Sequence, residues 1–156
     1  MAGFEDLRRA GKIRHWGVSN FDTDDMEELY ATPDGRNCQT NQILYNLSRR
    51  GPEFTLCPWH ERHKMPIMAY SPFEQERMKV AGVLSDLACA HNASGYQIAL
   101  AWLLHQKNMI AIPKSANLAH VRDNRAAADI TLTKADLVAL DEAFKPPRRK
   151  PPLDSI

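Results

Sequence analysis

Four short apolar runs, Arg14 to Ser19, Gln39 to Tyr45, Pro66 to Tyr70 and Met109 to Ile112, alternate with segments of helical spacing. That alternation is the strongest constraint on the fold. Parallel neighbours need a crossover between them and a helix is the usual one, so the pattern predicts an α/β protein with a parallel sheet of right-handed βαβ units. The order reads helix, strand, helix, strand, helix, strand, two helices, strand, two helices. Four such units are half of an eight-stranded (β/α)8, or TIM, barrel, which takes about 250 residues. The 156 residues present therefore predict one half-barrel domain at 1–145 and an extended, Pro-rich tail at 146–156.

Local signals mark the helices. Phe4, Leu7 and Ala10 recur at helical spacing ahead of Gly11, and Asp22 or Thr23 can cap a helix to Tyr30 that Pro33-Asp34-Gly35 closes. Pro52 to His63 has helical spacing but contains Pro58, which predicts a kink or broken turn. Val80, Val83, Leu84, Leu87 and Ala88 form a helical stripe with Asn92 as its stop. Ser94 and Gln97 form a capping box for a helix through Leu104, Asn117 caps Leu118 to Ala128, and Thr133 with Asp136 opens a last helix bearing Leu137, Leu140 and Phe144. Pro146-Pro147 and Pro151-Pro152 exclude helix from the tail.

Twenty Lys and Arg against nineteen Asp and Glu leave a net charge of +1, too little to draw the chain to nucleic acid or an anionic membrane. The short cluster Arg148-Arg149-Lys150 lacks interleaved aromatics and reads as a solvated segment. No run approaches the roughly 20 apolar residues of a membrane span. Three cysteines, an odd number, and the lack of a signal-peptide pattern at the start predict a reducing cytoplasm.

In parallel α/β proteins ligands sit at the carboxyl ends of the strands. Ser19 and Asn20 stand at one such end, either as ligand groups or as turn residues ahead of Asp22. Gln42, within a strand, makes either a structural bond or a ligand contact, and Tyr70 offers either a stacking face or core packing. Lys114 and Ser115 precede a helix start near Asn117, an arrangement that suits a phosphate but also describes a solvated loop lysine. Cys57, His60 and His63 fall three apart, yet three ligands on one Pro-containing segment do not make a zinc site, and no metal is expected.

Gly11-Lys12-Ile13-Arg14-His15-Trp16-Gly17-Val18-Ser19-Asn20-Phe21, Asn41-Gln42-Ile43-Leu44-Tyr45-Asn46, Ala69-Tyr70-Ser71-Pro72 and Ile112-Pro113-Lys114-Ser115 together resemble the carboxy-terminal half of the aldo-keto reductases. The resemblance covers essentially the whole chain, and Pro151-Pro152-Leu153-Asp154 is similar to bacterial branches. It implies strands five to eight of the barrel and NADPH-dependent reduction of aldehydes and ketones. By that resemblance Ser19, Asn20 and Gln42 clamp the nicotinamide carboxamide, and Tyr70 stacks on its ring. Ser71 and Phe73 flank the pyrophosphate. Lys114 and Ser115 meet the adenosine 2′-phosphate, and Asp123 and Asn124 lie near the adenine and its ribose. His120 stands where many relatives carry arginine; an imidazole brings less charge to a phosphate, which leaves NADH open beside NADPH.

The family's proton-donating tyrosine and its lysine, aspartate and histidine partners lie on the first four strands, for which no segment here is a match. The expectation is therefore a chain with cofactor-side residues and no catalytic residue, inactive alone; His15, Tyr45 and Tyr70 do not take those roles. Glu74 to Lys79 is short where some relatives carry a long loop over the cofactor, which implies a more open site. An open sheet leaves two unpaired edges, so the expected partner is a second copy or a complementary half-barrel. A non-catalytic half-barrel that binds and self-associates is the alternative function.

Overall fold

A computed structural model describes residues 2–155; Met1 and Ile156, the outer ends of the two expected spans, lie outside the described residues. Four parallel strands pair in the order of the chain, β1 (Val18–Ser19), β2 (Asn41–Leu44), β3 (Ile67–Tyr70) and β4 (Met109–Ala111). Around them run α1 (Ala2–Arg9), α2 (Thr23–Ala31), α3 (Leu56–His63), α4 (Val83–Ala90), α5 (Gly95–His105), α6 (Leu118–Ala126) and α7 (Lys134–Ala143). This is the expected α/β half-barrel.

The helices start where their caps are. The Asp22, Ser94 and Thr133 side chains each accept from a backbone N–H of the first helical turn, and Asp25, Gln97 and Asp136 reach back to complete three capping boxes. Gly11, at φ +70°, ends the turn after α1 in a conformation that side chains resist.

Among the boundaries that differ from the sequence reading, three are informative. The first strand shrinks from Arg14–Ser19 to Val18–Ser19, because it is an edge strand with a ladder on one side only and pairs just with Asn41 and Gln42. The expected helix over Pro52 to His63 is broken rather than kinked: a 3₁₀ turn at Gly51–Glu53 is separate from α3, which begins at Leu56, so Pro58 falls in the first helical turn where its missing N–H is no loss. The fourth helix begins at Val83 rather than Val80, and Val80 packs over Gly95 at the start of α5.

Strand alternation separates two faces. Ile43, Ile67 and Ala69 point to the helices and join Trp59, Ile98, Leu100 and Trp102 in one buried core. Gln42, Met68 and Ile110 are in register on the opposite face, as are Leu44 and Tyr70. On that inner face Ile110 remains 41% and Ile112 37% exposed. Each burying of an isoleucine is worth about 1.5 to 3 kcal/mol, so the face is energetically unfinished.

Residues 146–155 contain no helix or strand. Arg148, Arg149 and Lys150 are exposed, as the basic cluster suggested, but the tail is tethered: the Lys150 ammonium sits 3.0 Å from Asp22 and 3.5 Å from Asp24, and Arg49 reaches Asp154 at 3.4 Å. The two aspartates stand at the amino end of α2, where Asp22 Oδ1 accepts from the Thr23 N–H and its other oxygen meets the lysine. Among the described residues no helix is long and apolar enough to cross a membrane, and Cys38, Cys57 and Cys89 are free thiols.

Candidate functional site

β1 ends where Asn20 turns into the left-handed region at φ 56°, a conformation asparagine tolerates better than most side chains. The turn brings three of the expected residues onto one carbonyl: the Ser19 hydroxyl donates to Gln42 O at 3.0 Å, and the Asn20 backbone N–H donates to the same oxygen at 2.9 Å. Tyr70, at the end of β3, donates its hydroxyl to Asn20 Oδ1 at 3.1 Å. Gln42 Nε2 lies against Met68 Sδ at 3.2 Å. Ser19, Asn20 and Tyr70, at the ends of β1 and β3, and Gln42, within β2 between them, thus form one cluster.

A second turn follows β3. Ser71 is at φ 49°, and Glu74, Gln75 and Glu76 continue in the left-handed region at φ 52°, 55° and 67°. Such backbone persists only where the surroundings hold it. Here the Ser71 carbonyl accepts from Asn46 Nδ2 at 2.9 Å, and the Glu74 carboxylate accepts from Asn46 at 2.8 Å and Arg49 at 3.2 Å. Phe73 packs edge-on against Tyr96 in the first turn of α5, with ring centroids 5.3 Å apart.

The third group lies past β4. Lys114 is exposed, while the Ser115 hydroxyl accepts from the Asn117 backbone N–H at 3.0 Å and Asn117 Oδ1 accepts from Ala119 N–H at 2.8 Å. Ser115 therefore shapes the turn into α6. His120 and Asp123 are exposed and Asn124 half-buried on α6. Gln97 Nε2 donates to the Asp123 carbonyl at 3.1 Å, so the first turn of α5 touches both Phe73 and α6 and joins the two outer groups.

The expected non-participants are engaged elsewhere. Tyr45 is buried, its hydroxyl donates to Glu53 at 2.9 Å, and burial pushes its phenol pKa up. His63 stacks on Trp59 at 3.9 Å and bonds Trp59 O, while His60 is buried beside them. Among the described residues no three His, Cys, Asp or Glu side chains converge as a metal site would need.

The family model for the aldo/keto reductase family matches residues 1–145. The chain belongs to the aldo-keto reductase family. Methylglyoxal reductase YeaE of Escherichia coli is 44% identical over 161 residues, covering 100% of this chain and 57% of that protein. Glyoxal reductase of Bacillus subtilis is 30% identical, covering 97% of this chain and 54% of its own length. An aldo-keto reductase of Klebsiella pneumoniae, crystallised in complex with NADPH, superposes with a TM-score of 0.94 at 43% identity, covering 97% of this chain and 55% of that one. The chain spans about half the length of these aldo-keto reductases.

Two residues that matter to the site escaped the sequence reading. Asn41 opens β2 and Asn46 lies two residues past its end, both buried, and both bond the strand-end turns just described. The available signal was an amide at position 41, on the face that also buries Ile43 and Tyr45.

Proposed function

We propose that this chain is the cofactor-side half of an NADPH-dependent carbonyl reductase and supplies the strand ends that hold the nicotinamide nucleotide. The observation that carries this reading is the bonded cluster of Ser19, Asn20, Gln42 and Tyr70. Its donor set suits a carboxamide. Asn20 Nδ2 and Gln42 Oε1 make no hydrogen bond among the described residues, which leaves one donor and one acceptor for the ligand. Tyr70, fixed through its hydroxyl, presents its ring on the inner face for offset stacking.

When bound, the nicotinamide supplies the hydride for carbonyl reduction. The protein's part is to orient that ring, while Ser71 and Phe73 flank the pyrophosphate. Lys114 brings an ammonium to the 2′-phosphate beside the start of α6, where free N–H groups also favour an anion. Ser115 shapes that approach, and His120, Asp123 and Asn124 face the adenosine from α6. NADH binds the same clamp with less anchorage. No residue here takes the proton-donor role, so the chain alone does not turn over aldehydes, methylglyoxal among them. The half-barrel unit is the domain 1–145, and of the tail 146–156 the described residues 146–155 strap across it.

The test is a fluorescence titration of NADPH and NADH against wild type and Lys114→Met. A charge-assisted hydrogen bond contributes about 1.5 to 3 kcal/mol, so the variant should lose ten- to a hundred-fold in NADPH affinity and little for NADH. Equal losses for both nucleotides would show that Lys114 does not read the phosphate.

The exposed inner face favours a second reading, a non-catalytic half-barrel module that self-associates. In this reading β1 and β4, each with one neighbour, pair with a second copy or a complementary half-barrel. A compact monomer by light scattering at high concentration would argue against that assembly.

A further inference from the structure

Asn41, at the start of β2, and Asn46, just past its end, do more than fill space. Asn41 is 0% exposed and lies on the face of β2 that carries Ile43, on the helix side of the sheet, so it offers no surface to a ligand. Its Nδ2 donates to the Phe21 carbonyl at 2.8 Å and its Oδ1 accepts from the Phe21 N–H at 3.4 Å. One side-chain amide thus serves both main-chain groups of Phe21, the residue that follows left-handed Asn20 and has left the β1–β2 ladder. The amide stands in for the peptide group that a continuing strand would have offered.

Asn46 does the same at the other end. It is buried with all four hydrogen-bonding positions filled: Nδ2 donates to Ser71 O at 2.9 Å and Glu74 Oε1 at 2.8 Å, and Oδ1 accepts from the Ser48 and Arg49 N–H groups at 2.8 and 3.1 Å. The turn that it holds has left-handed Ser71 and Glu74, neither of which tolerates that backbone as glycine would. Both strand-end turns proposed to meet the cofactor are therefore held from behind, one by buried Asn41 of β2 and the other by buried Asn46 just past its end.

We propose that Asn41 and Asn46 are positioning residues, Asn41 for the Asn20-Phe21 turn that carries the carboxamide clamp and Asn46 for the Ser71-Glu74 turn on the pyrophosphate side. The assignment to cofactor groups rests on the function proposed above; the holding of the turns does not. Aspartate is the informative substitution. An ionised carboxylate keeps the acceptor but places a second oxygen against the Phe21 carbonyl, whereas the protonated acid donates and accepts as the amide did.

The experiment measures amide-exchange protection by NMR in the ¹⁵N-labelled chain. Asn41→Asp at pH 7.5 should lower protection at Asn20 and Phe21 at least ten-fold, leave Ser71 to Glu74 unchanged, and regain protection below pH 5 as the acid protonates. Asn46→Asp should show the mirror pattern. Asn41→Ser, which keeps a hydroxyl at the site, serves if the aspartate variant does not fold. Loss of protection at both turns in either variant, or at neither, would overturn the proposal. In a parallel titration, Asn41→Asp should weaken NADPH at least ten-fold and leave adenosine 2′,5′-bisphosphate, which lacks the nicotinamide, unchanged. Equal weakening of both would also overturn it. If wild type binds neither nucleotide, the cofactor reading fails while the protection pattern still decides the holding of the turns.

Discussion

His60 is the side chain with most at stake in the core. It is 1% exposed, Nδ1 lies 3.3 Å from the Met65 carbonyl, and Nε2 has no partner. Burial lowers its pKa from 6.5 to about 4. Between those values the unfolded chain binds the proton and the folded one does not, so stability is complete above pH 6.5 and falls as pH drops toward 4. The loss is about 3 kcal/mol across that window. Urea melts at pH 7.5 and 5 should show it in wild type, and His60→Leu, which has nothing to titrate, should flatten it. Equal pH dependence in the two proteins would contradict this account. The buried Glu5 carboxylate adds to acid sensitivity at lower pH. The Trp16 indole N–H, at 2.6 Å, together with Arg8 holds its pKa below the usual carboxylate range, so its contribution is present above that range and is lost as pH falls through the folded value.

At the scale of elements, distance along the chain decided what was legible. The caps at Ser94 and Thr133, and the choice of Asp22 or Thr23 for α2, could be read because donor and acceptor are at most three residues apart, and the strand faces because alternation is local. The length of β1 could not, since it depends on a ladder with residues more than twenty positions away. Asn41 was missed for the same reason: its partner, Phe21, is 20 residues distant, and nothing local marks a buried amide as a brace. Ser115 was read for its hydroxyl, but the turn into α6 uses that hydroxyl first. Gly17 links element to site. A Cβ there would lie 2.6 Å from the Thr40 carbonyl, so Gly17→Ala must push β1 away from β2. We expect destabilisation of about 1 to 3 kcal/mol and weakened protection at the Asn20 turn. A melting temperature equal to wild type would show that the edge adapts.

At the scale of the whole molecule, the tail closes over the site side of the half-barrel. Pro151 lies against Gly51, Lys150 bridges Asp22 and Asp24, and Asp154 meets Arg49. Exposed ion pairs are individually weak and screened by salt, so the strap should be salt-sensitive. Trypsin should cleave at Arg148 and Arg149 several-fold faster in 0.5 M than in 0.05 M salt, and Lys150→Met should be fast in both. Cleavage independent of salt and of Lys150 would mean that the prolines alone hold the tail.

In the proposed function these strand ends hold the nucleotide, and the proton donor comes from elsewhere. The most direct measurement is NADPH oxidation with reactive aldehydes, by the chain alone and after addition of the amino-terminal portion of the Escherichia coli relative, both prepared from a host without its own reductases. The account predicts no oxidation above background by the chain alone, NADPH-dependent turnover once the barrel is completed, and a ten- to hundred-fold higher NADPH requirement for Lys114→Met in the completed barrel. Turnover by the chain alone would contradict it.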